Sequence, residues 1–193
     1  MGDDEFDVSP GASFSVDQTD ALLALYDTAL PQIYGYLVRR CPSVAIAEDL
    51  TSETFLAAVD TVQRRPVDAV TVAWLVGIAR HKLADHWRRD ERDQRRLRSI
   101  AGELDDHEDP WDETIDATVA HATLDQLGPH HRAALTFRYL DGLPVRQVAD
   151  LMDRTEHATE ALLVRARRAF RTAYDHPPDN PHTRNDRTEA GDV

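Results

Sequence analysis

The sequence contains very little cysteine and no long apolar run. Its single cysteine, Cys41, excludes an internal disulfide, and no spacing of cysteine and histidine resembles a zinc site. No apolar stretch approaches the roughly 18 residues of a membrane span, and the first residues lack the basic and then apolar pattern of a secretory signal. We therefore expect a soluble, cytoplasmic protein that holds no metal and does not insert into a membrane.

Positive charge is also scarce. The 193 residues include 22 Lys and Arg against 35 Asp and Glu, a formal net charge of −13. Six of the acids lie in residues 1–20 and eight in residues 103–116, and neither segment contains Lys or Arg. The acids of these two segments alone account for the net negative charge of the chain, so the charges of the remaining residues nearly cancel. The acidic balance therefore describes a tail and a linker, and it does not exclude a nucleic-acid partner for the other residues.

The alternating apolar pattern of β-strands is absent as well, and the remaining periodicity predicts an all-α protein with two small domains. Gly and Pro fall mostly where helices are expected to begin or end. The predicted order begins with a disordered acidic N-terminus (1–16), a first helical domain (17–99) and an acidic linker (100–111). A second helical domain (112–174) and a disordered C-terminal tail (175–193) follow.

The segment IAEDLTSETFLAAVDTV, residues 46–62, predicts a helix with two different faces. Steps of four, three and four residues place one set on a common face: Asp49, Glu53, Leu56 and Asp60. A second set is expected to pack inward: Ala47, Leu50, Ala58 and Val62. An acidic stripe is most often a solvated surface, but the apolar Leu56 among the acids favours a surface that binds a basic helical partner.

The stretch RHKLADHWRRDERDQRRLR, residues 80–98, gathers eight basic side chains in nineteen positions. The spacing predicts a helix over about 70–97 whose buried side holds Val72, Val76, Ala79 and Leu83. The opposite side carries a polar row and its flanking cations: His81, Asp85, Arg88 and Arg92, with Lys82 and Arg89. Trp74, His86 and Trp87 add rings near this row, a mixture that tracks a phosphate backbone and stacks on unpaired bases. The alternative is a solvated helix with pairs such as Asp85 with Arg89.

The segment LPVRQVADLMDRTEHATEALLVRARRAF, residues 143–170, contains two helix patterns separated by a short polar turn. Pro144 suits the first turn of the earlier helix, and Thr155 can cap the later one by accepting from backbone N–H groups. The small residue Ala149 lets the two helices approach closely. This pattern is typical of a helix-turn-helix unit, and an ordinary helical hairpin is the alternative.

The later helix of this unit is predicted to have an anchored side and an exposed end. The anchoring residues are Thr159, Leu163, Ala166 and Phe170. The residues left at the exposed end, where base edges of a major groove can be met, are Arg154, Glu156, His157, Glu160 and Ala161. Four arginines follow at positions suited to phosphates: Arg165, Arg167, Arg168 and Arg171.

Three segments, in this order, resemble one known family over about residues 20–174. AEDLTSETFLAA at 47–58 is similar to the motif of the helix that docks on RNA polymerase, and WLVGIARHKLADHWRR at 74–89 resembles the segment that reads the −10 element. The third is DQLGPHHRAALTFRYLDGLPVRQVADLMDRTEHATEALLVRARRAFR at 125–171, which resembles the domain that holds the −35 element. The chain thus resembles bacterial extracytoplasmic-function (ECF) sigma factors.

The resemblance implies a non-enzymatic protein without a cofactor, built from a region 2-like bundle and a region 4-like helix-turn-helix domain. Core polymerase, with its β′ clamp helices and its β subunit, is the implied partner, and the residues that would bind polymerase are Asp49, Leu50, Glu53, Leu56 and Asp60. The opened, single-stranded −10 element would be held by Arg80, His81, Lys82, Asp85, Arg88, Arg89 and Arg92. The −35 duplex would be bound by Arg154, Thr155, Glu156, His157, Glu160, Ala161, Arg165 and Arg168.

Other implications of the resemblance concern segments outside the helices. The loop at 64–71 would lie near a flipped base, and the acidic linker would thread through polymerase channels in which carboxylates stand in for phosphates. An anti-sigma factor is a further implied partner.

Several residues depart from the family pattern. His81 stands where Asn is common, Asp153 replaces the usual Gly of the helix-turn-helix turn, Thr159 replaces an apolar β-branched residue, and Leu162 replaces a polar or basic one. The promoter sequence is therefore not predicted.

Two other classes of protein remain open from the residues alone. A helix-turn-helix regulator that binds duplex DNA without polymerase accounts for residues 143–171 but leaves the acidic stripe without a purpose. An enzyme would use His81, Asp85 and His86, or the pair His130 and His131, as acid, base or metal ligand. No third ligand or nucleophile motif accompanies these residues.

Overall fold

The computed structural model describes residues 10–97 and 117–175, and every regular element in these two ranges is helical. The elements, in chain order, are α1 Pro10–Val38, α2 Val44–Arg64, α3 Val72–Leu97, α4 Ala117–Gln126, α5 Pro129–Leu135, a π-helical turn at Thr136–Leu140, α6 Val145–Met152 and α7 Glu156–Asp175. The all-α prediction is confirmed by this architecture. The chain divides into two compact units, Met1–His86 and Trp87–Val193, so α3 contributes to both.

The first helix begins earlier than the sequence predicted. α1 starts at Pro10 and therefore includes residues 10–16, which were assigned to a disordered N-terminus. Proline is favoured in the first turn of a helix because its missing N–H would have no partner there. The acidic linker predicted at 100–111 lies outside the described residues, as do residues 1–9 and the tail beyond Asp175.

Side-chain caps fix the starts of α2 and α3 in the first unit. Ser43 Oγ accepts a hydrogen bond from the Ile46 N–H at 3.3 Å, and Thr71 Oγ1 accepts one from the Trp74 N–H at 3.2 Å. Each cap satisfies one of the N–H groups that a helix start leaves without an intrahelical acceptor, which stabilises the helix by about 0.5–2 kcal/mol. The caps therefore set where the faces of α2 and α3 begin.

The loop between α2 and α3 is tied to α1 by one side chain. Gln18 Nε2 donates to the Val67 carbonyl at 2.7 Å, and Gln18 Oε1 accepts from the Val67 N–H at 3.1 Å. A side-chain amide that pairs with both backbone groups of one residue fixes the position of that residue. The loop predicted at 64–71 is thereby held against the first unit.

The core of the first unit forms between α1 and α2, whose buried side chains include Ile33 and Leu37, each 0% exposed. The rings of Tyr26 and Phe55 meet edge to face, with centroids 4.9 Å apart. Burying one large apolar side chain stabilises a fold by about 1.5–3 kcal/mol. The four residues of α2 predicted to pack inward are all buried, which confirms that prediction: Ala47, Leu50, Ala58 and Val62.

The buried side of α3 differs in part from the prediction. Ala79 and Leu83 are fully buried as expected, but the seam continues to Leu75, which is 0% exposed. Val72 and Val76, predicted to be buried, are only half-buried. The seam follows steps of four residues back from Leu83, and this path passes through Leu75 instead of the two valines.

The second unit contains the end of α3, α4 to α7 and the π-helical turn. Phe137 of that turn is 0% exposed and meets the ring of Trp87 edge to face, with centroids 5.4 Å apart. Arg132 joins α5 to the end of α4, because its side chain donates to the carbonyls of Leu124, at 2.9 Å, and Asp125. Buried residues of α6 and α7 complete the core: Val148, Leu151, Met152, Leu162, Leu163 and Phe170.

Candidate functional site

The exposed side of α2 presents the predicted acidic stripe, which we call the acidic face and define as Asp49, Glu53, Leu56 and Asp60. Leu56 is 70% exposed, more than any other large apolar side chain of the described residues. Asp49 and Asp60 are exposed and Glu53 is half-exposed. Asp60 pairs with Arg64 one turn later, at 2.7 Å between Oδ1 and Nε.

Leu50 does not belong to this exposed surface. It is 2% exposed, because it lies on the inner face of α2 with Ala47 and Ala58. A buried side chain cannot contact a partner without unfolding of the helix around it. The assignment of Leu50 to polymerase contact is therefore wrong for the folded chain, and its role is to hold α2 in place.

The predicted −10 residues all lie on α3, but their surroundings differ. His81, Arg89 and Arg92 are exposed, whereas Arg80, Lys82, Asp85 and Arg88 are half-buried. Lys82 Nζ lies 3.4 Å from Glu53 Oε2 of the acidic face. Arg88 Nη1 lies 3.8 Å from Asp153 Oδ2, which is the residue in the helix-turn-helix turn.

Two residues near Arg80 were not found from the sequence. The Arg40 guanidinium lies 4.0 Å from the centre of the Tyr36 ring, and the Arg80 guanidinium lies 6.0 Å from the same centre. Arg40 also donates to the Tyr36 carbonyl at 2.9 Å, near the end of α1. Cations within about 6 Å of a ring face are attracted by its quadrupole. The only signal in the sequence was an aromatic residue followed four positions later by arginine.

Trp87 does not present its ring near the basic row. It is 1% exposed and packs on Phe137 in the second unit, so the prediction that it stacks on unpaired bases is wrong. Its indole N–H has no hydrogen-bond acceptor among the described residues. Trp74, by contrast, is half-buried and keeps part of its ring accessible.

The helix-turn-helix unit is built as the sequence predicted. Thr155 Oγ1 accepts from the Ala158 N–H at 3.2 Å, which caps α7. Val148 and Ala149 of α6 are buried. The four residues predicted to anchor α7 are buried and confirm its orientation: Thr159, Leu163, Ala166 and Phe170. Leu162 is also buried, at 3% exposure, so its apolar side chain belongs to the core.

The start of α7 leaves the predicted −35 residues accessible. Thr155, Glu156, His157 and Glu160 are exposed, and Arg154 and Ala161 are half-buried. Farther along the helix Arg165 and Arg168 are exposed, while Arg167 donates to the Tyr139 hydroxyl at 3.3 Å. The exposed polar side chains thus lie at the N-terminal end of α7, which is the end of a recognition helix that contacts base edges.

A histidine of α5 lies in the electrostatic field of this helix. Burial lowers the pKa of His131, the Arg165 charge lowers it further, and the Glu91 charge partly opposes both effects. A histidine with a lowered pKa is neutral at pH 7. His131 therefore adds no charge to the cations of α7 at that pH.

The turn between α6 and α7 requires a left-handed backbone at Asp153, where φ is 54° and ψ is 51°. Asp tolerates this conformation less readily than Gly. We expect Asp153→Gly to raise the free energy of unfolding by about 0.5–1 kcal/mol, and Asp153→Ala to lower it by about the same amount. Both variants also remove the ion pair with Arg88. Its N–O distance is 3.8 Å and the Asp153 side chain is 87% exposed, so the loss of this pair changes the free energy of unfolding little. Urea unfolding of the three chains checks the order, and equal stability of the Gly and Ala variants would contradict it.

No group of three or more potential metal-ligating side chains occurs within residues 10–97 and 117–175. None of the helices in those ranges is long and apolar enough to cross a membrane.

Comparisons with known proteins match two separate regions of the chain. Residues 25–93 match the family Sigma-70 region 2, and residues 119–170 match Sigma-70, region 4. The chain is 36% identical over 165 residues to the ECF RNA polymerase sigma factor BldN of Streptomyces coelicolor, covering 79% of this chain and 60% of BldN. It is 30% identical over 159 residues to the ECF RNA polymerase sigma factor SigL of Mycobacterium tuberculosis, covering 77% of this chain and 85% of SigL.

A solved structure supports the fold assignment. The sigma factor RpoE of Bartonella quintana, in complex with the anti-sigma factor NepR, matches with a TM-score of 0.50 and 17% sequence identity over 80% of this chain and 97% of that chain. Sequence, fold and the two matched regions lead to one conclusion: the chain belongs to the ECF RNA polymerase sigma factors, which direct RNA polymerase to promoters.

Proposed function

We propose that this sigma factor binds core polymerase through the acidic face of α2, holds the opened −10 strand on α3 and binds the −35 duplex with α7. The observation that carries the proposal is Leu56, a leucine 70% exposed among carboxylates on a helix whose other face is fully packed. A large apolar side chain surrounded by charges is typical of a protein interface.

The acidic face suits a basic helical partner such as the β′ clamp helices of polymerase. Carboxylates at its rim attract and orient a basic surface, and Leu56 supplies apolar area that is removed from water on binding. The half-buried Glu53 gives the face one carboxylate that is already partly shielded from solvent. We propose that the β subunit of polymerase binds the chain as well.

The −10 assignment is supported by the cations of α3. The exposed Arg89 and Arg92 are free to follow a phosphate backbone, and His81 can meet a base edge. The half-buried cations Arg80, Lys82 and Arg88 are held by neighbouring groups of the protein, so their positions are fixed before DNA arrives. Fixed donors lose less conformational entropy on binding.

The −35 assignment predicts a defined salt dependence. Replacing Arg165 and Arg168 by Ala is expected to weaken binding of −35 duplex by holoenzyme across sequences, because phosphates carry no base information. The slope of log affinity against log salt should become shallower by about 0.9 for each phosphate that is no longer neutralised by an arginine. Fluorescence anisotropy of labelled promoter duplex over a range of salt concentrations measures it.

A matched control for that prediction is Arg39→Ala, which removes an exposed cation from the first unit. Its salt slope should equal that of the unmodified chain. A double variant whose slope is also unchanged would remove both arginines from the set of proposed phosphate-binding residues.

Run-off transcription with purified core polymerase on a genomic library tests the whole proposal. We expect new start sites that depend on the chain and share −35 and −10 sequences. A chain that does not co-elute with core polymerase, or that leaves initiation unchanged on every template, would overturn the proposal.

Family membership also decides between the classes left open by the sequence. Sigma factors are not enzymes, in agreement with the non-enzymatic protein that the resemblance implied. A regulator that acts without polymerase is excluded because region 2 and region 4 are both matched. We propose further that the protein acts in the cytoplasm and that an anti-sigma factor binds it, since RpoE of the same fold was solved with one.

A further inference from the structure

One ion pair joins two of the proposed binding surfaces, the acidic face of α2 and the −10 residues of α3. Lys82 Nζ of α3 lies 3.4 Å from Glu53 Oε2 of α2, although Glu53 belongs to the acidic face and Lys82 to the −10 residues. The two positions are 29 residues apart in sequence, so only the packing of α3 on the first unit brings them together. Each charge is therefore partly neutralised by a residue of the other surface.

The pair can be broken at little cost. The Lys82 side chain is 29% exposed and the Glu53 side chain 40% exposed, so either group can be rehydrated or take a new partner. Partly exposed pairs of this kind shift an equilibrium constant by up to about fivefold. The lysine side chain is flexible and its ammonium is a point charge without a fixed geometry, which favours exchange between carboxylate and phosphate.

We propose that Glu53 and Lys82 exchange partners when the transcription complex assembles. A basic group of polymerase takes Glu53, and the released Lys82 then binds a phosphate of the opened strand. Each event removes a competitor of the other, so polymerase binding and −10 strand binding are coupled. This inference rests on the proposed function, and it adds a link between two surfaces that were assigned separately.

A second ion pair of the acidic face does not connect it to the −10 residues. Asp60 pairs with Arg64 of its own helix, 2.7 Å away, and both are more than half exposed. Breaking that pair releases no residue of the −10 set. Within the described residues, Glu53 and Lys82 are the ion pair that connects the acidic face to that set.

The test is a double-mutant cycle on affinity for core polymerase. Lys82→Gln should bind core up to about fivefold more tightly than the unmodified chain, because Glu53 is then free for polymerase. In a Glu53→Gln background the same Lys82→Gln change should have no effect. Arg39→Gln, which removes an exposed cation of the same unit, should leave the affinity unchanged. Competition binding with fluorescently labelled chain and purified core enzyme gives all five values.

A second readout separates exchange from a purely structural pair. With core saturated by Lys82→Gln chain, permanganate reactivity of promoter thymines should fall, so tighter assembly accompanies weaker strand opening. Unchanged or weaker core binding by Lys82→Gln, or an equal gain in the Glu53→Gln background, would overturn the exchange and leave the proposed function intact. Failure of the unmodified chain to bind core would overturn both.

Discussion

Replacing Trp87 by alanine is expected to lower the free energy of unfolding by about 3–5 kcal/mol. The side chain is 1% exposed and its ring meets Phe137, itself 0% exposed, at a centroid distance of 5.4 Å. Alanine would remove this ring pair and leave a cavity that the surrounding helices fill only in part. Urea unfolding followed by far-ultraviolet circular dichroism measures the destabilisation. The second unit should show it most clearly, because both rings belong to that unit.

Phenylalanine at position 87 provides the matched variant. It keeps a ring for Phe137 and removes an indole N–H that has no acceptor among the described residues. A buried donor without a partner costs about 1–3 kcal/mol, so Trp87→Phe should be clearly more stable than Trp87→Ala. A second comparison is Trp74→Ala, at a half-buried position, for which a smaller destabilisation is expected. If Trp87→Ala lowered the free energy of unfolding by less than about 1 kcal/mol, this result would contradict the tight packing of Trp87 in the core.

The faces of α2 could be predicted because they depend on periodicity within one helix. Asp49 and Leu56 recur at helical spacing on one side, while Ala47 and Ala58 recur on the other, and the structure places each accordingly. The same reasoning predicted the cap by Thr155, since a cap depends only on neighbouring backbone groups. Local rules therefore account for the helix-turn-helix unit and for the acidic face.

The residues that the sequence placed wrongly depend on packing between distant segments. Trp87 lies on the same helix as Arg88 and Arg89, and its helical position alone does not exclude an exposed ring. Its burial is caused by Phe137, which is 50 positions away and belongs to a π-helical turn that no local pattern indicated. The pair of Glu53 with Lys82 has the same origin, because it needs the register of α3 against α2.

Reversing the charge of Asp49 is expected to weaken the affinity for core polymerase by more than tenfold. An arginine on the acidic face would oppose the basic partner surface, and like charges across an interface cost several kcal/mol. The effect of a substitution is easier to interpret at Asp49 than at Glu53, because Asp49 is exposed and forms no ion pair within the described residues. Glu53→Arg would also repel Lys82.

The control for Asp49→Arg is Asp20→Arg, the same charge change at an exposed position of α1 outside the acidic face. Both variants should unfold within about 0.5–1 kcal/mol of the unmodified chain, because exposed substitutions remove little packing. Only Asp49→Arg should bind core more weakly when labelled chain is titrated with core enzyme. Equal affinity of the two variants would mean that the general negative charge of the chain, and not the face built around Leu56, attracts polymerase.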